Sequence, residues 1–102
     1  IRHVQEYILE NFRDPDLNIS QTGIHFHMTP SYLSAIYKKE TGTSLLEFIN
    51  QARLDEAERL LEQGMTVAEV AEKAGFRDST YLIRVFKKKR GVTPGQKKQN
   101  RK

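Results

Sequence analysis

Apolar positions along the chain recur at three- and four-residue intervals and never settle into strict alternation, so the pattern predicts helices and short turns throughout. Val4, Tyr7, Ile8 and Phe12 follow helical spacing in the first segment, and Asp14-Pro15-Asp16 breaks it. Asn18 is placed to cap a short second segment through Phe26. Thr29-Pro30 is a helix start: a hydroxyl cap followed by proline at the first helical position, where an N–H would go unpaired anyway. That third segment should run to about Thr41 and stop at Gly42. Ser44-Leu45-Leu46-Glu47 has capping-box spacing and opens a long helix with apolar positions at Leu45, Phe48, Ile49, Ala52, Ala57, Leu60 and Leu61, closed by Gly64. Thr66-Val67-Ala68-Glu69 is a second such box, opening a helix that ends near Ala74-Gly75. Asp78 caps the next helix, which ends at Gly91, and Thr93-Pro94 starts a final short one. The expected fold class is all-α, with about seven helices.

An internal repeat organises these segments. Tyr32-Leu33, Tyr37-Lys38-Lys39, Gly42 and Ser44 recur 49 residues later as Tyr81-Leu82, Phe86-Lys87-Lys88, Gly91 and Thr93. Before the turn the offset is 48: Ile19, Gly23 and Phe26 match Val67, Ala71 and Ala74, so the second copy carries one extra residue in its turn. Each copy has the marks of a helix-turn-helix, in which two helices cross closely around a tight turn. Gly23 and Ala71 supply the small residue at the crossing, and Gly75 tolerates positive φ in the second turn where the first has His27. Apolar anchors follow at Met28, Leu33, Ile36 and Tyr37, and at Phe76, Leu82, Val85 and Phe86. The chain divides into an N-terminal helix-turn-helix subdomain (1–43), a linker helix (44–64) and a C-terminal helix-turn-helix subdomain (65–102). A linker of roughly 20 residues would span about 30 Å, close to the ~34 Å turn of B-DNA. Such a rod would hold two reading heads near successive major grooves.

The anchors leave one face of each second helix free. It carries Ser31, Ser34, Ala35 and Lys38 in the first copy, and Ser79, Thr80, Ile83, Arg84 and Lys87 in the second. Small polar residues near the helix start with cations further along suit insertion into a major groove. Arg84 is the strongest candidate for direct base contact, bidentate to a guanine, and Ile83 is placed to meet a thymine methyl. Lys38, Lys39, Lys87 and Lys88 are candidates for phosphate, which positions without specifying sequence. Thr29, Ser44 and Thr93 open helices whose first N–H groups favour phosphate.

Charge sharpens this picture. Residues 1–76 hold 7 basic and 12 acidic side chains, whereas residues 77–102 hold 10 basic residues and Asp78 alone as an acid. A basic end of this kind is a polyanion footprint, although Lys97–Lys102 also fits a solvated tail. There is no Cys, which removes disulfides, thiolate metal sites and Cys nucleophiles and suits a reducing compartment. His25 and His27, two positions apart, face different ways and with His3 make a poor metal set. Asp14 and Asp16 flank Pro15 in a polar loop, where a loop cap is expected rather than acid–base chemistry. Arg53, near the apolar stripe of the linker, is expected in a structural ion pair with an acid such as Glu56 or another helix's carboxylate, rather than in contact with DNA. No metal or other cofactor is expected. No apolar run approaches a membrane span, and the first residue, Ile1, suggests a piece of a longer protein.

Phe76 to Pro94, FRDSTYLIRVFKKKRGVTP, resembles the signature of AraC/XylS-type regulators through Ala71, Gly75, Phe76, Phe86, Lys87, Gly91 and Pro94 taken together. The stretch HMTPSYLSAIYKKETGTSLLEFI resembles the first half of the same family's DNA-binding domain. The resemblance implies seven helices, two helix-turn-helix units around a linker helix, and sequence-specific binding to bacterial promoter DNA, often activating through RNA polymerase. It places base-reading positions on Ser31, Ser34, Ala35, Ser79, Thr80, Ile83 and Arg84. Departures from the pattern are Ala35 where a long side chain is frequent, Thr22 where an aliphatic one is usual, Ile24 where a polar one is, and Lys89 and Lys97 at often aromatic positions. Ile1 to Phe12 resembles the segment that follows a receiver domain in some two-component regulators.

The function expected is sequence-specific binding to double-stranded DNA by a cytoplasmic transcription regulator, the isolated domain monomeric and dimerisation of the full-length protein left open. A DNA-repair methyltransferase role would need an acceptor Cys, and no Ser/His/Asp constellation or phosphate-binding glycine loop offers another chemistry, so no enzyme is expected. The alternative is a helical protein-interaction module whose basic end binds an acidic partner.

Overall fold

A computed structural model describes residues 1–99, with the side chains of residues 98 and 99 left out; the end of the tail expected at Lys97–Lys102 therefore lies outside the described residues. Among the described residues seven helices follow in order: α1 (Arg2–Asn11), α2 (Ile19–His25), α3 (Pro30–Thr41), α4 (Leu45–Glu62), α5 (Val67–Ala74), α6 (Ser79–Arg90) and α7 (Pro94–Gln99). No strand occurs among the described residues, so the chain is all-α. It forms two compact units, Ile1–Ala52 and Arg53–Lys102, and α4 contributes residues to each.

The boundaries follow from local chemistry. The Asn18 side chain accepts a hydrogen bond from the Gln21 N–H at 2.8 Å and starts α2. Thr29 does the same for Tyr32 at 3.2 Å with Pro30 at the first helical position of α3. Thr66 and Glu69 form a complete capping box, each side chain accepting from the other residue's backbone N–H, at 3.0–3.2 Å. At the other end, Gly42 and Gly91 close α3 and α6 in the left-handed region with φ of 82° and 80°. The loop at Asp14 is a turn of its own: the Asp14 carboxylate accepts the Asp16 N–H at 2.9 Å, as a loop cap should.

In the first unit, Val4, Ile8 and Phe12 line one face of the first segment and meet Leu17, Leu33, Tyr37, Leu45 and Ile49. Tyr37 is buried, and its hydroxyl is satisfied by the Gln5 side-chain amide at 3.1 Å. Thr22 is fully buried, but its hydroxyl donates to the Asn18 carbonyl at 2.8 Å, which makes a polar residue acceptable at that point. Ile24 faces outward, 69% exposed, so its apolar side chain leaves the packing of α2 undisturbed.

The second unit has its own core of Leu54, Ala57, Leu60 and Leu61 from α4 with Val70, Ala71, Ala74, Phe76, Leu82, Val85 and Phe86. Phe86 and Leu82 are completely buried, each stabilising the unit by about 2 kcal/mol. Arg90, at the end of α6, reaches Asp55 at 3.0 Å and Glu58 at 3.6 Å on α4, and Lys97 reaches Glu58 at 3.5 Å. These pairs pin α6 and the start of α7 onto α4. Arg53 is buried. Glu56 accepts from the Nε and Nη2 groups of Arg59 at 2.9 and 2.8 Å.

Candidate nucleic-acid interface

Both turns are built the same way. In the first, the Gly23 carbonyl accepts the Met28 N–H at 2.8 Å; in the second, the Ala71 carbonyl accepts the Phe76 N–H at 2.9 Å. The intervening turn residue is left-handed in each, His27 with φ 59° and Gly75 with φ 93°. The offset between copies is still 48 at Met28 and Phe76, but 49 at the caps Thr29 and Asp78. The extra residue of the second copy is therefore Arg77, which is exposed.

The turn hands the chain to the second helix of each unit. In α3, Leu33 and Tyr37 are buried, Ile36 is half-buried, and Ser31, Ala35, Lys38 and Lys39 are exposed with Ser34 half-buried. In α6, Leu82, Val85 and Phe86 are buried, Thr80, Ile83, Arg84, Lys87 and Lys88 are exposed, and Ser79 is half-buried. Each set of sequence-predicted positions thus shares the outward side of its own helix. The stripe from Thr80 through Ile83 and Arg84 to Lys87 runs at helical three- and four-residue spacing.

The helix starts differ in charge. Thr29 caps α3 through its oxygen, which leaves a hydroxyl proton to donate. Asp78 caps α6 by accepting the Tyr81 N–H at 2.8 Å; its carboxylate suits the helix dipole but would repel a phosphate. Ser44 accepts the Glu47 N–H at 3.0 Å at the head of α4. Thr93 accepts the Gln96 N–H at 3.2 Å while the Gln96 side chain takes the Thr93 N–H at 2.9 Å, so only the hydroxyl of Thr93 is left to donate.

Two features were not singled out from sequence. The Arg84 guanidinium lies over the Tyr81 ring, 5.4 Å from its centroid, and that ring in turn packs against Phe76 at 6.1 Å. The spacing of Tyr81 and Arg84, three apart on one helix face, is the signal that would have found the first contact. The other is the division of the basic run: Arg90 is tied to α4, whereas Lys87 and Lys88 extend outward. The histidines do not converge, since His25 stacks on Tyr7 at 4.1 Å and His27 sits in the turn beyond α2. Among the described residues, no group of three His, Asp or Glu side chains is placed to hold a metal, and no helix is long and apolar enough to cross a membrane.

A helix-turn-helix domain family matches residues 24–100. The arabinose operon regulatory protein of Escherichia coli is 32% identical over 97 residues, covering 94% of this chain and 33% of that protein. The chain belongs to the AraC-type helix-turn-helix family of DNA-binding domains. The HTH-type transcriptional regulator YtdP of Bacillus subtilis is 35% identical over 96 residues, covering 93% of this chain and 12% of that protein. The chain therefore spans a third or less of the length of these curated relatives. Among solved structures, the C-terminal domain of the two-component response regulator yesN from Fusobacterium nucleatum superposes with a TM-score of 0.91 at 31% identity, covering 95% of each chain. Membership in this AraC-type family does not favour the reading as a protein-interaction module.

Proposed function

We propose that this domain recognises an asymmetric site on double-stranded promoter DNA, with α3 and α6 entering successive major grooves of one duplex. The observation that carries the proposal is the repeated outward face: in each unit the second helix buries its apolar side and presents short polar residues near its start and lysines at its end. In this reading Ser31, Ser34 and Ala35 meet base edges in the first groove, and Ser79, Thr80, Ile83 and Arg84 in the second. Arg84 supplies the bidentate donor for a guanine, and Ile83 the apolar contact to a thymine methyl. Lys38, Lys39, Lys87 and Lys88 lie against phosphates, with Thr29, Ser44 and Thr93 donating through their hydroxyls.

Within a longer bacterial regulator the segment acts as the DNA-reading part in the cytoplasm, monomeric by itself and without chemistry of its own. RNA polymerase is the protein partner this role implies at a promoter. The likeness to a response-regulator output domain supports placing it downstream of a receiver domain. The test is binding-site selection from a random duplex library. Two unequal half-sites about one helical turn apart are expected, with affinity falling steeply as salt rises. Recovery of a single half-site, or of no motif, would refute the two-groove arrangement.

A further inference from the structure

We infer that Tyr81 is a positioning residue for recognition: it sets the pose from which Arg84 reads its base. The inference rests on the proposed role of Arg84 and goes beyond it to the group that prepares it. Phe76 is buried in the core of the second unit, so its ring is fixed. Tyr81 packs on that ring at 6.1 Å with the planes tilted by 55°, and its backbone N–H is held by the Asp78 cap at 2.8 Å. Both its ring and its stretch of helix are therefore constrained before DNA arrives. The Arg84 guanidinium then lies 5.4 Å from the Tyr81 centroid, within the range where the negative face of an aromatic ring attracts a cation.

An exposed arginine samples many rotamers, and docking it on a base edge costs that freedom. A ring face that already attracts the guanidinium reduces the loss, and because the ring offers a face and no strong acceptor, the fork of N–H donors stays usable for a base edge. The first unit provides the contrast. Tyr32 occupies the position of Tyr81, but Met28 replaces Phe76 behind it and Ala35 replaces Arg84 beyond it. Its ring, with nothing of that kind to carry, is 56% exposed.

The test compares wild-type, Tyr81→Phe, Tyr81→Leu, Arg84→Ala and the Tyr81→Leu/Arg84→Ala double variant. Each is titrated with the selected duplex and with duplexes changed one base pair at a time, and thermal melts are recorded alongside. Tyr81→Leu is expected to lower discrimination roughly two- to fivefold, at the same base pair that Arg84→Ala flattens and at no other. Tyr81→Phe should keep that discrimination, and Tyr81→Leu should take nothing further from it once Arg84 is gone. Equal weakening on every duplex would mean that Tyr81 serves only the fold, and the inference would fail while the reading of Arg84 stood. Loss of discrimination undiminished in the Arg84→Ala background would also overturn it. If Arg84→Ala changes no base-pair preference, the base-contact reading falls and takes this inference with it. A measurement on the wild-type protein needs no folded variant: the δ protons of Arg84 should show an upfield ring-current shift in the NMR spectrum, and its absence would refute the placement over the ring.

Discussion

The first unit turns through His27 with Gly23 beneath the Met28 carbonyl; the second turns through Gly75 with Ala71 in the matching place and Arg77 added before the cap. Their outward faces diverge further. The first presents Ser31, Ser34 and Ala35, whereas the second presents Thr80, Ile83 and Arg84, with Arg84 supported on an aromatic ring. Residues 1–52 carry 4 basic and 6 acidic side chains against 13 and 7 in residues 53–102. One scaffold thus carries two outward faces of unequal reach and charge. In the proposed reading the second would hold DNA by long-range attraction and a long donor, the first by short side chains that require close approach.

The largest effect that would break the comparison lies in the turns. A Cβ added at Gly23 would stand 2.6 Å from the Met28 carbonyl oxygen, a backbone atom with little room to move. Gly23→Ala should therefore lower stability in denaturant titration by about 2–3 kcal/mol. The reverse change in the second unit, Ala71→Gly, should cost about 1 kcal/mol, mostly helix propensity. A more stable Gly23→Ala protein would show that the first turn is no tighter than the second.

The next effect concerns the faces. Arg84→Ala should lose about 1–3 kcal/mol of discrimination at one base pair, while Ser34→Ala should lose under about 1 kcal/mol. Similar losses in the two half-sites, measured on single-substituted duplexes, would erase the proposed inequality of the heads.

The basic end supplies a smaller and finer test. Arg90 spans Asp55 and Glu58, so Arg90→Ala should reduce stability by about 0.5–1 kcal/mol and leave the salt dependence of binding nearly unchanged. Lys87→Ala should do the opposite: stability steady, and the slope of log affinity against log salt reduced by about 1. If Arg90→Ala moves the slope as much as Lys87→Ala does, the ion pairs with α4 do not hold it away from DNA.

Much of this was legible in the sequence because it is local. Caps at Asn18, Thr29, Thr66 and Asp78, and stops at Gly42 and Gly91, depend on side chains within a few residues of the groups they satisfy. The repeat then aligned the outward faces without any structural knowledge. What escaped was long-range or three-dimensional. Leu54 is the exception: it is fully buried in the second core and stands three residues before Ala57 and seven before Leu61, so the apolar spacing itself was enough to place it. The sequence counts Arg90 and Lys97 among free cations, because their acidic partners lie more than 30 residues away on α4. Which α4 side chains serve which core is equally silent in the pattern, since the apolar stripe runs on from Leu45 to Leu61.

The smallest effect separates the two turn residues themselves. His27 is exposed and held at φ 59°, where a Cβ crowds the following carbonyl oxygen at a cost of about 1 kcal/mol. Gly75 takes the same region without that penalty. His27→Gly should relieve the strain, but glycine also enlarges the freedom of the unfolded chain, which offsets part of the gain. A net rise of about 0.5 kcal/mol is expected, against a loss of about 1 kcal/mol or more for Gly75→Ala, where the strain is newly imposed. Opposite signs in the two units, read from denaturation midpoints at equal slope, would show that the first turn carries a strain the second avoids. A destabilised His27→Gly protein would mean that the imidazole makes a contact outweighing its backbone cost, and the turns would then differ in side-chain chemistry and not in strain.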